Sequence, residues 1–166
     1  VTKSDVRALT KAEAAAIYRA RYWDAVMADR LPAGIDSAVF DAAVNSGPAR
    51  AAKWLQAAAR VPQDGIVGPV TLAAVAAGDP ARLIGDICQI RLAFLRALST
   101  WPVFGKGWSR RVEEFKAEAT AMALAAASGR GAAVPVSPPG APPGPPPADG
   151  AGKQGGGVLA FIADRK

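Results

Sequence analysis

Apolar side chains recur at three- and four-residue spacings along most of the first 127 residues, the period with which an amphipathic helix builds one apolar face. A first helix is predicted over residues 11–29, because Thr10 and Glu13 have the spacing of a capping box and Pro32 would end it. Its expected core stripe consists of Ala14, Ile17, Tyr18, Tyr22, Ala25 and Val26.

Three shorter helices are predicted next. Asp36 is the expected N-cap of the second helix, which stops at residues 45–48, where Asn, Ser, Gly and Pro supply a turn. The third is expected over residues 48–59, with Trp54 near its edge and small or aliphatic residues facing inward. Those inward residues are Ala51, Ala52, Leu55 and Ala58. A turn-rich connector then precedes a short helix that ends near Gly78.

A long helix is predicted from Asp79-Pro80 onward, and its broad apolar face indicates a central position in the core. That face comprises Leu83, Ile84, Ile87, Cys88, Ile90, Arg91, Phe94, Leu95 and Leu98. Residues 101–108 break the helical period and gather three aromatic side chains with two Gly and one Lys, so they are predicted to form a loop. The last helix is expected over residues 109–127.

The composition changes at residue 129, where a stretch rich in Pro, Gly, Ala and Ser begins that extends to residue 157. Such a stretch buries too little apolar surface to offset the entropy of ordering, so it is predicted to be a disordered linker. The apolar residues 158–162 that follow are an unexplained tail, a docking peptide or the beginning of a segment lost by truncation, and the first is preferred. The predicted fold class is all-α with a disordered Pro/Gly-rich C-terminal tail.

The charge of the chain favours an acidic polymer as its partner. The formal net charge is +6 and the pI about 9.9, which suits nucleic acid, an anionic membrane or the carboxylates of a cell wall. The basic residues are scattered, however, and Arg110-Arg111 is the only adjacent pair before the tail. Nucleic-acid binders usually cluster their charge, so no nucleic-acid partner is expected.

Several classes of site are excluded by the residue types present. The chain has no His and one Cys, so neither a zinc site nor a His-based triad can be assembled, and no cofactor or metal is expected. Cys88 is expected to be a small buried hydrophobe. No apolar run is long enough to span a membrane and no signal peptide is recognisable, so synthesis in the cytoplasm without stable membrane insertion is expected. The missing initial Met suits a processed chain, a non-standard start codon or a fragment.

A series of ordered motifs gives the chain a specific family resemblance. They are the segments at residues 9–13, 18–24, 31–36, 40–48, 54–56, 64–69 and 104–112. Together they resemble glycoside hydrolase family 108 over nearly all of residues 3–127 and none of the tail. The resemblance implies a lysozyme-like, α-helical muramidase of the kind found in phage endolysins and secretion activators, with peptidoglycan glycan strands as its partner.

The resemblance also implies a division of the chain. Residues 1–47 would be the C-terminal part of a muramidase-like catalytic domain, residues 48–127 a peptidoglycan-binding helical region, and residues 128–166 the tail. The turn at residues 64–69 resembles one found in other small peptidoglycan-binding modules, where it either shapes the chain before a helix or contacts ligand. The expected site of action is the bacterial cell envelope or periplasm, reached by lysis or export, and the expected state is a monomer.

One departure from the family pattern leaves enzymatic activity open. The family carries its catalytic acid in a Glu-Gly-Gly motif, and no such motif occurs in these 166 residues. Cleavage of a glycosidic bond needs a protonated carboxylic acid beside the leaving oxygen. Asp24, Asp36 and Asp41 are the carboxylates near the aromatic motifs; Asp24 could instead pair with Arg and Asp36 could cap a helix, so Asp41 is the favoured candidate.

Aromatic faces with polar neighbours are the usual means of holding sugars. The candidates are Tyr22, Trp23, Asn45, Ser46, Trp54, Trp101 and Trp108. Tyr22 also fits the first core stripe, and Trp101 with Phe104 could simply plug a helix end. The preferred substrate-binding residues are Trp23, Asn45, Ser46, Trp108 and Arg111. Arg111, Lys106 and Arg110 would either meet muropeptide carboxylates or form a solvated helix start.

Three functions therefore compete. The first is a muramidase whose Glu-Gly-Gly segment lies upstream of this chain. The second is a non-catalytic module that binds peptidoglycan without cleaving it. The third is an interaction protein tethered by its Pro-rich tail, with residues 158–162 as the docking element.

Overall fold

A computed structural model of the chain describes residues 8–129, and in that range the secondary structure is entirely helical. Six α-helices follow one another, and the all-α prediction is confirmed for this range. They are α1 (Lys11–Tyr18), α2 (Ile35–Ser46), α3 (Pro48–Ala58), α4 (Pro69–Ala76), α5 (Pro80–Arg96) and α6 (Trp101–Ala127). The predictions for the linker and the apolar residues 158–162 lie outside the described residues.

The first helix is shorter than predicted. The capping box forms as expected, with the Thr10 hydroxyl accepting from the Glu13 backbone N–H and the Glu13 carboxylate accepting from the Thr10 N–H. After Tyr18 the chain widens into a π-helical turn and then tightens into two 3₁₀ turns, which shift the phase of the side chains. Of the predicted core stripe only Val26 is fully buried, whereas Ala25 is exposed and the others are half-buried; the phase shift bears on the members after Tyr18, and the regular helix before it buries no residue fully.

The core lies among α2, α3, α5 and α6, and it is continuous across residues 47 and 48. Small side chains on α2 and α3 let these two helices approach closely. The four predicted inward residues of α3 are all buried, as expected from their period. Trp54 is buried too, contrary to its predicted edge position, because the Phe94 ring of α5 packs 5.6 Å from it.

The start of α2 differs from the prediction by two residues. Gly34, not Asp36, is the N-cap, with φ at 85°, a value that favours glycine. The Asp36 carboxylate accepts instead from the backbone N–H groups of Gly34 and Ser37, at 2.8 and 2.6 Å. Partial burial of Asp36 raises the pKa of its carboxyl group.

The predicted loop at residues 101–108 is wrong, because α6 begins at Trp101 and continues through it. Pro102 lies in the first turn, where proline is tolerated since its missing N–H would have no helical partner. Gly105 has a packing reason, since a Cβ there would lie 2.6 Å from the Trp101 ring. Burial of Trp108 against Trp101 and Phe104 offsets the low helix propensity of glycine.

Gly34→Ala should lower the free energy of unfolding by about 3 kcal/mol, because Ala is strained at positive φ and its Cβ would overlap the Ala119 carbonyl oxygen of α6. Gly47→Ala is the matched control. Gly47 has φ at 89° but open space around it, so it should lose only the strain, about 1 to 2 kcal/mol. Urea unfolding measures both, and equal losses would contradict close packing of Gly34 on α6.

Candidate functional site

Asp41 on α2 is the centre of a buried ion cluster. The residue is 1% exposed, and both of its carboxylate oxygens accept from guanidinium groups. Arg91 Nη1 of α5 donates to Oδ2 at 2.6 Å, and Arg111 Nη2 of α6 donates to Oδ1 at 2.5 Å. The cluster formed by Asp41, Arg91 and Arg111 therefore connects three helices.

This cluster carries one carboxylate against two guanidinium groups, which leaves a surplus positive charge. Arg91 is buried, whereas the side chain of Arg111 is 25% exposed and forms the outward end. The Nε atoms of both arginines are buried without a hydrogen-bond partner among residues 8–129. Arg111 is thus the place where the surplus charge meets the surface.

Asn45 joins the cluster one turn further along α2. Its Nδ2 donates to the Asp41 backbone oxygen at 2.8 Å and to Asp41 Oδ1 at 3.3 Å. Asn45 and Ser46 are both half-buried at the end of the helix. The structure therefore brings together Asp41, Asn45 and Arg111, three residues that the sequence analysis selected for different reasons.

Arg91 is a member of the cluster that the sequence analysis did not single out as functional. It occurs within the predicted apolar face of α5. A charged residue at a core position is rare unless it is paired. The position of Arg91 within the apolar face was therefore the sequence feature that could have indicated a buried ion pair.

Trp23 and Trp108, the two tryptophans that were predicted to bind sugar, are not members of the Asp41 cluster. Trp108 is 7% exposed and stacks on Phe104, with ring centroids 5.6 Å apart and planes 29° apart. Trp23 packs edge-on against Phe40 and donates from Nε1 to Asp29. Phe104 is 45% exposed, so it is the most exposed of the three rings at the start of α6.

The remaining charged candidates lie in exposed ion pairs or, in the case of Lys106, form no ion pair within residues 8–129. Asp24 is 3.6 Å from Arg19, and Arg110 is 3.8 Å from Glu114, in both cases with largely exposed side chains. Such pairs contribute little to stability. Lys106 is exposed on α6.

The turn at residues 64–69 is organised from inside by Gln56 of α3. The buried Gln56 amide donates to Asp64 Oδ1 and to the Ile66 carbonyl, and it accepts from the Gly65 N–H. The Gln56 hydrogen bond is the largest cause of the lowered pKa of the Asp64 carboxyl. The polar groups of the turn are therefore used internally, while Ile66 and Val70 project into solvent.

No group of three or more acidic, Cys or His side chains is placed to hold a metal ion within residues 8–129. None of the helices in that range is long and apolar enough to cross a membrane.

Cys88 is buried on α5, as expected. Burial raises the pKa of its thiol to about 11. The nearby Arg91 and Lys116 charges oppose this shift, but burial is the larger effect.

Comparison with known proteins gives matches along most of the described range. The model of the family described as glycosyl hydrolase 108 matches residues 1–47, and that of a predicted peptidoglycan domain matches residues 50–113. The chain is also similar to the solved structure of Brucella abortus SagA, with 49% identity and a TM-score of 0.72, over 74% of this chain and 71% of that one. No curated protein matches significantly. The resemblance drawn from the sequence motifs is confirmed.

Asp41→Asn should lower the free energy of unfolding by about 3 to 5 kcal/mol, because it leaves two guanidinium groups without their counter-charge, one of them fully buried. Asp24→Asn is the control, since it removes an exposed pairing and should cost less than about 1 kcal/mol. Urea unfolding followed by circular dichroism measures both. Similar values for the two variants would show that the cluster does not hold the helices.

At pH 8, Cys88 should react with a thiol reagent such as DTNB roughly a hundredfold more slowly in the native chain than in urea, since a pKa of about 11 leaves little thiolate. Burial slows the reaction further. The urea-unfolded chain is the internal control. Equal rates in both states would contradict the placement of Cys88 in the core.

Proposed function

Because the chain belongs to the glycosyl hydrolase 108 family, we propose that its helical part binds the glycan strands of peptidoglycan and does not itself supply the acid that cleaves them. The two family matches make it a peptidoglycan-acting protein whose site of action is the cell wall.

The state of Asp41 carries the proposal. A general acid has to place its proton beside the glycosidic oxygen. Both oxygens of Asp41 are occupied by guanidinium groups, and the residue is 1% exposed, so a leaving oxygen has no approach to it. Asp41 therefore acts as an anchor for the two arginines.

The other two acid candidates are also engaged. Asp24 lies beside Arg19. Asp36 has the raised pKa that suits a general acid, but its Oδ1 accepts from two backbone N–H groups and holds the start of α2. A structural role accounts for the contacts of Asp36, whereas the exposed pairing of Asp24 with Arg19 contributes little to stability.

The outward end of the cluster supports binding. Arg111 presents surplus positive charge, with Asn45 and Ser46 at the end of the helix that holds Asp41. Charge-assisted hydrogen bonds from a guanidinium group suit the carboxylates of muropeptides. The positive net charge of the chain adds a long-range attraction to an anionic wall.

Cleavage is the second candidate function. The glycosyl hydrolase 108 match at residues 1–47 favours it for any protein in which this chain is joined to a Glu-Gly-Gly motif. In that arrangement residues 1–47 would complete a catalytic domain and residues 48–127 would hold the strand. Because the core is continuous across residues 47 and 48, both parts would move as one body.

The proposed working state is a monomer in the bacterial cell envelope or periplasm, after synthesis in the cytoplasm and release by export or lysis. Light scattering of the purified chain tests whether it is a monomer. Fractionation of cells that make it tests the location.

The 166-residue chain should sediment with purified sacculi and release no reducing ends from them. Arg111→Gln should raise the Kd for sacculi about tenfold, because one charge-assisted contact with the wall is lost. Asp41 keeps its pairing with Arg91 in this variant. Arg110→Gln removes the same charge from an exposed neighbour and should have little effect.

Each result bears on a different part of the proposal. Release of reducing ends by this chain would show that one of its own carboxylates is catalytic. Equal losses in the two arginine variants would reduce the binding to net charge. No sedimentation would refute binding.

A further inference from the structure

Phe104 is a large exposed apolar side chain next to the buried Trp108 and the partly buried Trp101. Its ring stacks on Trp108, which in turn lies 6.2 Å from Trp101. Trp108 is 7% exposed and Phe104 is 45% exposed. Because Trp108 supports one side of the Phe104 ring, Phe104 is a flat surface fixed from behind.

Phe104 shares a helix face with Arg111. Residues at i, i+3 and i+7 lie on one side of an α-helix, so Phe104, Gly107 and Arg111 form a single row, here named the α6 row. The rise of a helix places the two ends of the row about 10 Å apart along the axis. An aromatic face and the surplus charge of the Asp41 cluster are thus presented to the same ligand.

Gly107 lies between these two ends without a packing reason. A Cβ at Gly105 would meet the Trp101 ring, whereas a Cβ at Gly107 would meet nothing within 4 Å. Glycine is unfavourable in a helix interior, and no close neighbour at Gly107 requires it. Its effect is to keep the surface between Phe104 and Arg111 low and open.

We propose that the α6 row is a saccharide subsite, in which one pyranose ring of the glycan strand stacks on Phe104 and a carboxylate on the same strand pairs with Arg111. A pyranose ring has an apolar face of C–H groups that suits an aromatic plane, and its acidic substituents suit a guanidinium group. Gly107 allows the strand to lie across the helix between the two contacts. This inference rests on the proposed binding of peptidoglycan and names the surface that performs it.

The test compares variants of the α6 row in sedimentation with purified sacculi. Phe104→Ala should raise the Kd about tenfold, since it removes the stacking face. Phe104→Trp keeps a flat ring and should retain binding. Val103→Ala is the matched control, because Val103 is 75% exposed on the same turn but lies off the row.

Gly107→Leu tests the same surface by adding a side chain to it. The open space at Gly107 accommodates the side chain, so the thermal midpoint should not fall, while binding weakens at least as much as in Phe104→Ala.

In the wild type, a soluble muropeptide should shift the indole N–H resonances of Trp101 and Trp108. Those of Trp23 and Trp54, which pack against other rings, serve as internal controls.

The outcomes separate this inference from the proposed function. Wild-type binding that Phe104→Ala and Gly107→Leu leave unchanged overturns the α6 row alone and leaves peptidoglycan binding standing. A wild type that does not sediment overturns both. Tighter binding of single-stranded DNA than of muropeptide, with the same variant pattern, would assign the row to nucleic acid and overturn the saccharide assignment.

Discussion

The packing of this domain depends on one carboxylate that is shared by two guanidinium groups. Moving three charged groups out of water is costly, and the cost is recovered only when their geometry is close to ideal. Asp41 recovers part of this cost through hydrogen bonds of 2.6 and 2.5 Å to Arg91 and Arg111, while the Nε atoms of both arginines are buried without a partner among residues 8–129. Apolar contacts alone allow helices some sliding, whereas these two bonds fix the position of α2 relative to both α5 and α6.

The same bonds decide what the site can do. They remove Asp41 from contact with any ligand, and they bring Arg111 to the surface with a charge that is only partly neutralised. Asn45 adds a further hydrogen bond to the carboxylate. A carboxylate that looks catalytic by its residue type is thus fully paired, and its partner Arg111 is the member of the cluster that reaches the surface.

Patterns in the sequence predicted the elements that are determined by contacts between residues close together in the chain. The inward face of α3 and the capping box at Thr10 follow from side-chain period and from a backbone contact across three residues. The cluster was not predictable in this way, because Arg91 and Arg111 lie 50 and 70 residues from Asp41. Pairing over such separations depends on how the helices pack, and helical period contains no information on it.

The aromatic residues at the start of α6 show how one error in secondary structure changes a site. When residues 101–108 are taken as a loop, Trp108 is the natural sugar contact, since it precedes the polar helix start. As a helix, the segment turns Trp108 inward and leaves Phe104 at the surface. The two glycines that suggested a loop have different roles in the helix: Gly105 accommodates the Trp101 ring, and Gly107 leaves the surface open. Residue type identified this region as important, but the phase of the helix determined which of its rings is exposed to solvent.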